Sequence, residues 1–420
     1  MKKKILLLLL SWLMGKMGSA QNNEALFKRW ESYLDKKADP IELTQDTSFE
    51  DLKGLKKALL GKRIILLGEF NHGSKEVNLL KNRIIQYLHQ KLDYKVLLLE
   101  SGIGEVNTLN HNRSVLAVEN MIYRLTGPWQ SEEFVSLMGY AQKNEDLVLG
   151  GFDPQKSGGS FAPFFQQKFG KIGPQLSKLL SETETQNQSF VRDIQRVELT
   201  PVHFLKRDSI IQAYQEILQS MQAHQPQFML DKKAETDFMV IQKSIENRIA
   251  YLYYFTTYKK QLRQRWAARD SIMAANVLWY AKELYPQEKI IISAHNYHIS
   301  KYNEKELVMG EILKAALPND LYTIGFFAGQ GSFANNARKT ENLSPATGAK
   351  DIKAIVSKLK TEAVFFDFPN KIKQQRSWLD DNLTVSDTFI DLDNTPTMLI
   401  GKCFDGLFLL KNITPAVYKN

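Results

Sequence analysis

The sequence predicts an α/β fold, with a largely parallel sheet flanked by helices and a helical insertion forming a lobe over the active-site cleft. Three observations carry this. Short runs of β-branched and large apolar residues, bounded by polar residues or glycine, read as buried strands. Helical stretches alternate with them, as α/β architecture requires. Four of the strand runs also end directly on ionisable residues, which places those residues at the carboxyl edge where open α/β sheets bind ligands.

The first element is not part of the fold. Met1-Lys2-Lys3-Lys4, an apolar run from Ile5 to Met14 and then Gly18-Ser19-Ala20 describe a cleavable secretory signal. The apolar run is about ten residues, against roughly twenty needed to span a bilayer. Cleavage after Ala20 is expected, giving an exported protein, periplasmic or secreted, with no stable membrane insertion once the signal is removed. Residues 21–420 then form one large domain, since 420 residues exceed a usual core of about 100 to 200 and leave room for an insertion.

Within that domain Arg63 to Leu67 leads to Glu69, Lys95 to Leu99 leads to Glu100, Leu147 to Phe152 leads to Asp153, and Lys289 to Ala294 leads to His295. Between the first two, Lys75 to Gln90 sets Val77, Leu80, Ile84 and Leu88 at helical spacing, one buried stripe. From about 155 to 265 the strand signal disappears and long helical stretches take over, notably Asp208 to Met221 and Lys232 to Tyr258. This is the helical insertion. Leu321 to Phe327, Ala363 to Phe368 and Leu407 to Leu410 read as further strands, with a polar loop from Gly331 to Lys350. No internal repeat and no Pro-rich or Gly/Ser linker divides the chain.

Composition narrows the function. Hydrophobic residues at 43% and charged residues at 24% are ordinary for a globular protein. The first twenty residues hold four lysines and no acids, so their removal takes the formal charge from +9 to +5. The remaining basic residues are scattered among acids rather than arranged in a stripe interleaved with aromatics, and nucleic acid is discounted as a partner. Cys403 is the single cysteine, which rules out an intramolecular disulfide; it reads as a buried, inert thiol in a strand-like segment.

Glu69 and His72 lie three residues apart in the turn after the first strand, where a carboxylate orients an imidazole or raises its basicity. His295 and His298 form a second polar cluster, again after a strand. Alone, the first pair is equally compatible with a helix-capping turn, and the second reads more readily as a decorated loop than as a metal or proton-transfer site. Together they stand out, because of seven histidines these three follow strand ends while His89, His111, His203 and His224 fall in helical or loop contexts and read as structural. The same residue types are those a divalent ion selects, so a metal-dependent hydrolase stays open.

Gly68-Glu69-Phe70-Asn71-His72-Gly73-Ser74-Lys75-Glu76, Glu100 closing a strand, Arg269-Asp270-Ser271-Ile272-Met273-Ala274 and His295-Asn296-Tyr297-His298-Ile299 resemble the ordered motifs of the erythromycin esterase family. Trp129 to Glu133, Asn144, Gly150 to Asp153 and Phe404-Asp405-Gly406 extend the resemblance over nearly the whole mature chain. It implies hydrolysis of an ester or lactone, macrolide lactones being the family's substrate class, with no cofactor and no structural metal. His72 becomes the catalytic histidine, Glu69 and Glu100 active-site carboxylates, Arg269 an orienting or polarising cation, and His295 and His298 supporting groups. Lys81, Trp129 and Asp153 are carried over as substrate-binding. One position departs: nine residues after the histidine the family pattern has arginine, and here stands Lys81, which keeps the charge and loses the bidentate fork. No Gly-x-Ser-x-Gly elbow occurs, so water activated by His72 is the expected nucleophile, with Arg269 or His298 facing the oxyanion. A non-catalytic periplasmic ligand-binding protein is the remaining alternative.

Overall fold

The structure is a computed structural model and describes residue 25 and residues 27–43, 48–229, 231–368, 382–385 and 397–418; the expected export signal lies outside them. Eleven strands run through the described residues: β1 Asp39–Ile41, β2 Ile64–Leu67, β3 Tyr94–Gly102, β4 Val148–Asp153, β5 Lys289–Ser293, β6 Leu321–Ala334, β7 Thr340–Asn342, β8 Ala363–Asp367, β9 Leu383–Thr384, β10 Thr397–Met398 and β11 Gly406–Ile413. Nine of them form the central sheet, in the order β1-β8-β11-β6-β2-β5-β3-β4, with β7 paired to β6. From β11 to β4 every neighbour is parallel. Within this sheet antiparallel pairing is confined to the edges at β8, β1 and β7, and β9 and β10 form a separate antiparallel pair.

The parallel strands are apolar on both faces because both are covered. Ile64 and Leu66 of β2 pack into one layer with Met273 and Val277 of the helix Leu262–Trp279. Ile65 and Leu67 point the other way, onto Val77, Leu80, Ile84 and Leu88 of the helix Lys75–Leu92. Each such side chain contributes roughly 1.5 to 3 kcal/mol on burial, so a one-residue slip of β2 reverses every contact and the register is firmly set. That register matters for the site. Leu67, Ser293, Leu99 and Gly151 sit level across β2, β5, β3 and β4.

The insertion consists of helices Ala162–Phe169, Pro174–Ile194, Pro201–Ala223, Gln225–Phe228 and Lys232–Thr257. Phe165, Phe190, Tyr214 and Ile241 give it a core of its own. A buried ion network fastens it to the sheet layer: Arg248 bonds Glu105 of the helix Ile103–Asn112, and its Nε donates to Glu184 Oε1 at 2.9 Å. Among the described residues no helix is long and apolar enough to cross a membrane.

Two local expectations are corrected, and one strand was not foreseen. The polar stretch from Gly331 is no plain loop: β6 continues through Ala334 and turns back into β7, with Ser332 opposite Asn342. The returning strand is exposed and polar, and the other half offers only Phe333 and Ala334 to announce it. β1 goes unread for a related reason, being three residues of edge strand with a single buried side chain, Ile41. Cys403 closes the short helix Ile400–Cys403 rather than lying in a strand, and burial pushes its thiol up to about 11.

Candidate active site

Because the four strand ends are level, residues one or two positions beyond them converge on one edge. Glu69 and His295 each follow their level residue by two, Glu100 by one and Asp153 by two. His72 and His295 come to 5.4 Å between ring centroids. The loop carrying His72 is seated on backbone contacts that exclude side chains: a Cβ at Gly68 would stand 1.9 Å from Asn296 Oδ1, and one at Gly73 would stand 1.9 Å from Ala334 O. Between them Asn71 Oδ1 accepts from Gly73 N at 3.1 Å and from Ser74 Oγ at 2.9 Å, an Asx turn that fixes the histidine's direction. The far end of the chain closes over this loop. Lys75 N donates to Thr414 O at 2.9 Å, Ala416 N to Gly73 O at 2.8 Å, and Thr414 Oγ1 to Glu76 Oε1 at 2.6 Å.

Glu69 is fully buried and gathers three donors. His72 Nδ1 lies 2.5 Å from Oε1, Trp129 Nε1 donates to the same oxygen at 2.8 Å, and Lys81 Nζ donates to Oε2 at 2.5 Å. Burial alone pushes the carboxyl up; the Lys81 charge and the His72 contact outweigh it and bring the pKa down to about 2. A carboxylate at Nδ1 fixes the tautomer, so the proton of neutral His72 sits on Nδ1 and the Nε2 lone pair is open. No described residue bonds that nitrogen, and His72 lines a cavity of about 450 Å³.

A second cluster sits beside it. Arg269 forks Asp153, Nε to Oδ1 at 3.1 Å and Nη2 to Oδ2 at 2.6 Å, and Nη2 also reaches Glu100 Oε1 at 3.0 Å. Burial pulls the guanidinium down, but Asp153 and Glu100 more than compensate and hold it well above its usual range. His298 lies between Asp270 Oδ1, 2.8 Å from its Nδ1, and Glu100 Oε1, 3.3 Å from its Nε2. Against the desolvation of burial, the two carboxylates raise it to about 9, an imidazolium at neutral pH. Glu100 is pushed up by burial and pulled further down by His298 and Arg269, to well below the usual carboxylate range. His295 is the opposite case: burial, then His72, lower it to about 3. Its Nε2–H donates to Phe70 O at 2.9 Å and its Nδ1 accepts from Tyr297 N at 3.1 Å, so both nitrogens of this neutral ring hold loops.

The expected site residues therefore meet at one edge but not in one layer. His72, Glu100, Arg269, His295 and His298 line the cavity. Glu69 lies behind His72, Lys81 and Trp129 are buried against Glu69, and Asp153 is buried behind Arg269. Lys81 and Trp129 thus act on the carboxylate and are not in the cavity wall. The lysine at the family's arginine position supplies the compact charge that keeps a buried Glu69 ionised. For the oxyanion, both protons of His298 are committed to carboxylates. Arg269 retains Nη1, which lies 3.2 Å from the already protonated His298 Nε2 and finds no acceptor there.

Sequence reasoning missed part of the wall. Arg265, Trp266 and Arg269 occupy one side of the helix Leu262–Trp279, a spacing that helical periodicity reveals once Arg269 is suspected. Asp270, inside a quoted motif, went without a role and proves to be the partner of His298. Asn336 arrives on the unforeseen hairpin between β6 and β7, and Tyr254 and Phe255 come from the helical lobe. Tyr254 is 4% exposed, and its hydroxyl faces the Gln155 side chain. Burial, then Asp153, hold that phenol well above its usual range, a neutral donor throughout. His89, His203 and His224 do structural work, bonding Tyr140 Oη, Thr200 and Ser220 O. Among the described residues no group of three or more His, Cys, Asp or Glu is placed to hold a metal ion.

Comparison with known proteins gives the family. The family model described as erythromycin esterase matches residues 89–412, which begins after the His72 loop. The protein named "Putative hydrolase YbfO" from Bacillus subtilis (strain 168) is 30% identical over 423 residues, covering 93% of this chain and 92% of its own, His72 loop included in that span. Erythromycin esterase type II of Escherichia coli is 23% identical, over 73% of this chain and 78% of its own. In fold, a Bacillus cereus protein superposes with a TM-score of 0.75 at 19% identity, over 94% of this chain and 99% of its own. The erythromycin esterase mutant EreC, in its open conformation, does so with 0.62 at 15%, over 91% and 98%. The family model's match over most of the chain and the relative alike across nearly all of it make the chain a member of the erythromycin esterase family, and a hydrolase of that family.

Proposed function

We propose that this hydrolase cleaves carboxylic esters, macrolide lactones being one candidate class, by attack of a water molecule that His72 deprotonates. The observation that carries the reading is the Glu69–His72 pair: the carboxylate takes Nδ1 and leaves Nε2 as an unbonded base at the cavity wall. As water attacks the carbonyl, its proton passes to Nε2 and the imidazolium that forms lies against ionised Glu69, which stabilises it. The new oxyanion meets Nη1 of Arg269 and the Tyr254 hydroxyl, donors already in place in a low-dielectric pocket. On collapse of the tetrahedral intermediate, His72 returns the proton to the leaving alkoxide.

His72→Ala is expected to lower kcat for a 4-nitrophenyl ester by a factor on the order of 100 to 10,000, the range of general-base loss. Turnover by the unaltered enzyme should persist in chelator. Loss in chelator with rescue by zinc would transfer the reaction to a metal-bound water. The basic, apolar and small-residue sequence of residues 1–20 supports export as well, which the mass of the mature protein tests: a chain beginning at Gln21 is the expected product.

A further inference from the structure

The cavity at His72 does not end at its own wall. Gln155, Phe255 and Arg265 also border a second cavity, of about 600 Å³, which opens between the lobe helix Pro174–Ile194 and the segment after β4. Among the described residues its wall contains no Asp or Glu, yet it contains Lys156, Arg192, Arg248 and Arg265. Arg248 is neutralised by Glu105 and Glu184. The other three have no carboxylate partner among the described residues. Lys156 Nζ touches Gln188 Oε1 at 3.2 Å, and Arg265 lies over the Phe255 ring at 5.5 Å with one bond to Lys259 O. Arg192 stands exposed at the rim.

A half-buried lysine with no ion-pair partner is unfavourable on its own. Burial draws the Lys156 ammonium down; Glu184 offsets this in part, and Arg248 adds to it. Asn187 in the same wall is 3% exposed and its Oδ1 has no hydrogen-bond partner among the described residues. A buried acceptor left open in a polar cavity points to a ligand that donates, since such atoms are otherwise satisfied. The cations call for an anion and Asn187 for a hydroxyl or N–H. Both are set beside, not at, the reacting centre.

We propose that the second cavity is the seat for the remote end of the substrate, and that this end carries an anionic group beside hydrogen-bond donors. The substrate class is then an ester of a polyfunctional acid or alcohol bearing a carboxylate or similar anion some distance from the scissile bond. This deepens the esterase reading and rests on it. Each charge-assisted contact is strong enough to raise affinity on the order of tenfold, and a cationic group in that seat meets three unpaired like charges.

The test uses mono-4-nitrophenyl esters of linear dicarboxylic acids of increasing length, each paired with its methyl-capped neutral counterpart. At low salt kcat/KM is expected to favour the anionic member by a factor on the order of 10 to 100 at the length that spans both cavities, and the ratio should fall towards one in Arg192→Gln and in Lys156→Gln. Arg192 is an exposed residue without side-chain partners, so its substitution leaves the fold in place. A second measurement needs no turnover: titration calorimetry of octanedioate against the His72→Ala protein should show binding that weakens about tenfold in the Arg192→Gln background. Charge-selective binding without hydrolysis of any ester would keep the anion seat and overturn the esterase reading. Hydrolysis of charged and neutral pairs at equal kcat/KM at every length, with octanedioate and its dimethyl ester binding alike, would overturn the seat and keep the esterase.

Discussion

Replacing Glu69 by glutamine keeps the shape of the side chain and removes the acceptor on which three donors converge. His72, Trp129 and Lys81 all point at its two oxygens. An amide offers one oxygen and turns an NH₂ group towards either the ammonium or the imidazole. The size of the effect follows from the carboxyl's position at about 2 instead of 4.5: the folded state favours the ionised form by about 3 kcal/mol. A depressed pKa contributes stability that is present in full above about 4.5 and is lost as pH falls through about 2, so at neutral pH the substitution removes all of it. Leaving the Lys81 ammonium buried and unpaired places the expected destabilisation at roughly 3 to 5 kcal/mol. The effect on catalysis is separate. Without a carboxylate at Nδ1 the ring is free to take the other tautomer, with Nε2 protonated and useless as a base, and kcat should fall on the order of 100- to 10,000-fold. Urea unfolding and initial rates on a 4-nitrophenyl ester measure the two. A cycle with Lys81→Met isolates the ion pair: the double variant should be more stable than the sum of the single losses implies, because an apolar pair needs no compensation. Additive losses, or a Glu69→Gln enzyme within about threefold of full kcat, would refute the role given to this carboxylate.

Two further outcomes follow from the opposite wall. Tyr254→Phe removes one hydroxyl from a packed aromatic and should lower kcat by a factor on the order of 100, with KM little changed and the unfolding midpoint intact; an unaltered kcat would take it out of the oxyanion site. His298, raised from 6.5 to about 9, contributes stability present in full below about 6.5 and lost as pH climbs through about 9, on the order of 3 kcal/mol in all. Unfolding measured from neutral to alkaline pH should show that slope, and His298→Gln should flatten it; a slope that survives the substitution would place its origin elsewhere.

Much of this architecture was legible in the sequence because parallel strands buried on both faces leave unbroken apolar runs, and an ionisable residue at the end of such a run has no other place than the sheet's carboxyl edge. Glu69, Glu100, Asp153 and His295 follow from that alone. Depth was not legible. Whether Lys81 faces substrate or the back of Glu69 depends on how the helix Lys75–Leu92 is rotated on the sheet, and its apolar stripe fixes that rotation only to within a residue or so. The lobe's share of the wall was hidden for a similar reason. Tyr254 and Phe255 sit in an aromatic-rich stretch, Tyr251 to Phe255, whose members point into the lobe, the cavity or solvent according to a docking that rests on Arg248 and its two carboxylates. Asn336 depended on a polar hairpin that carries no hydrophobic pattern to read.

The seating of the His72 loop by the final strand has a consequence for the order of events when the chain is made. Glu76 and Thr414, which clasp each other, are 338 positions apart. A ribosome working from the amino end completes His72, its carboxylate partner and the helix behind them while the segment that clasps the loop is still unwritten. Contacts so distant along the chain form late and slowly. For most of its synthesis the chain therefore holds the Asn71 turn and the Glu69–His72 contact without the far-end bonds that seat this loop, which form only when residues 414–416 dock. A nick in that segment would unseat the loop without touching a residue that lines the cavity.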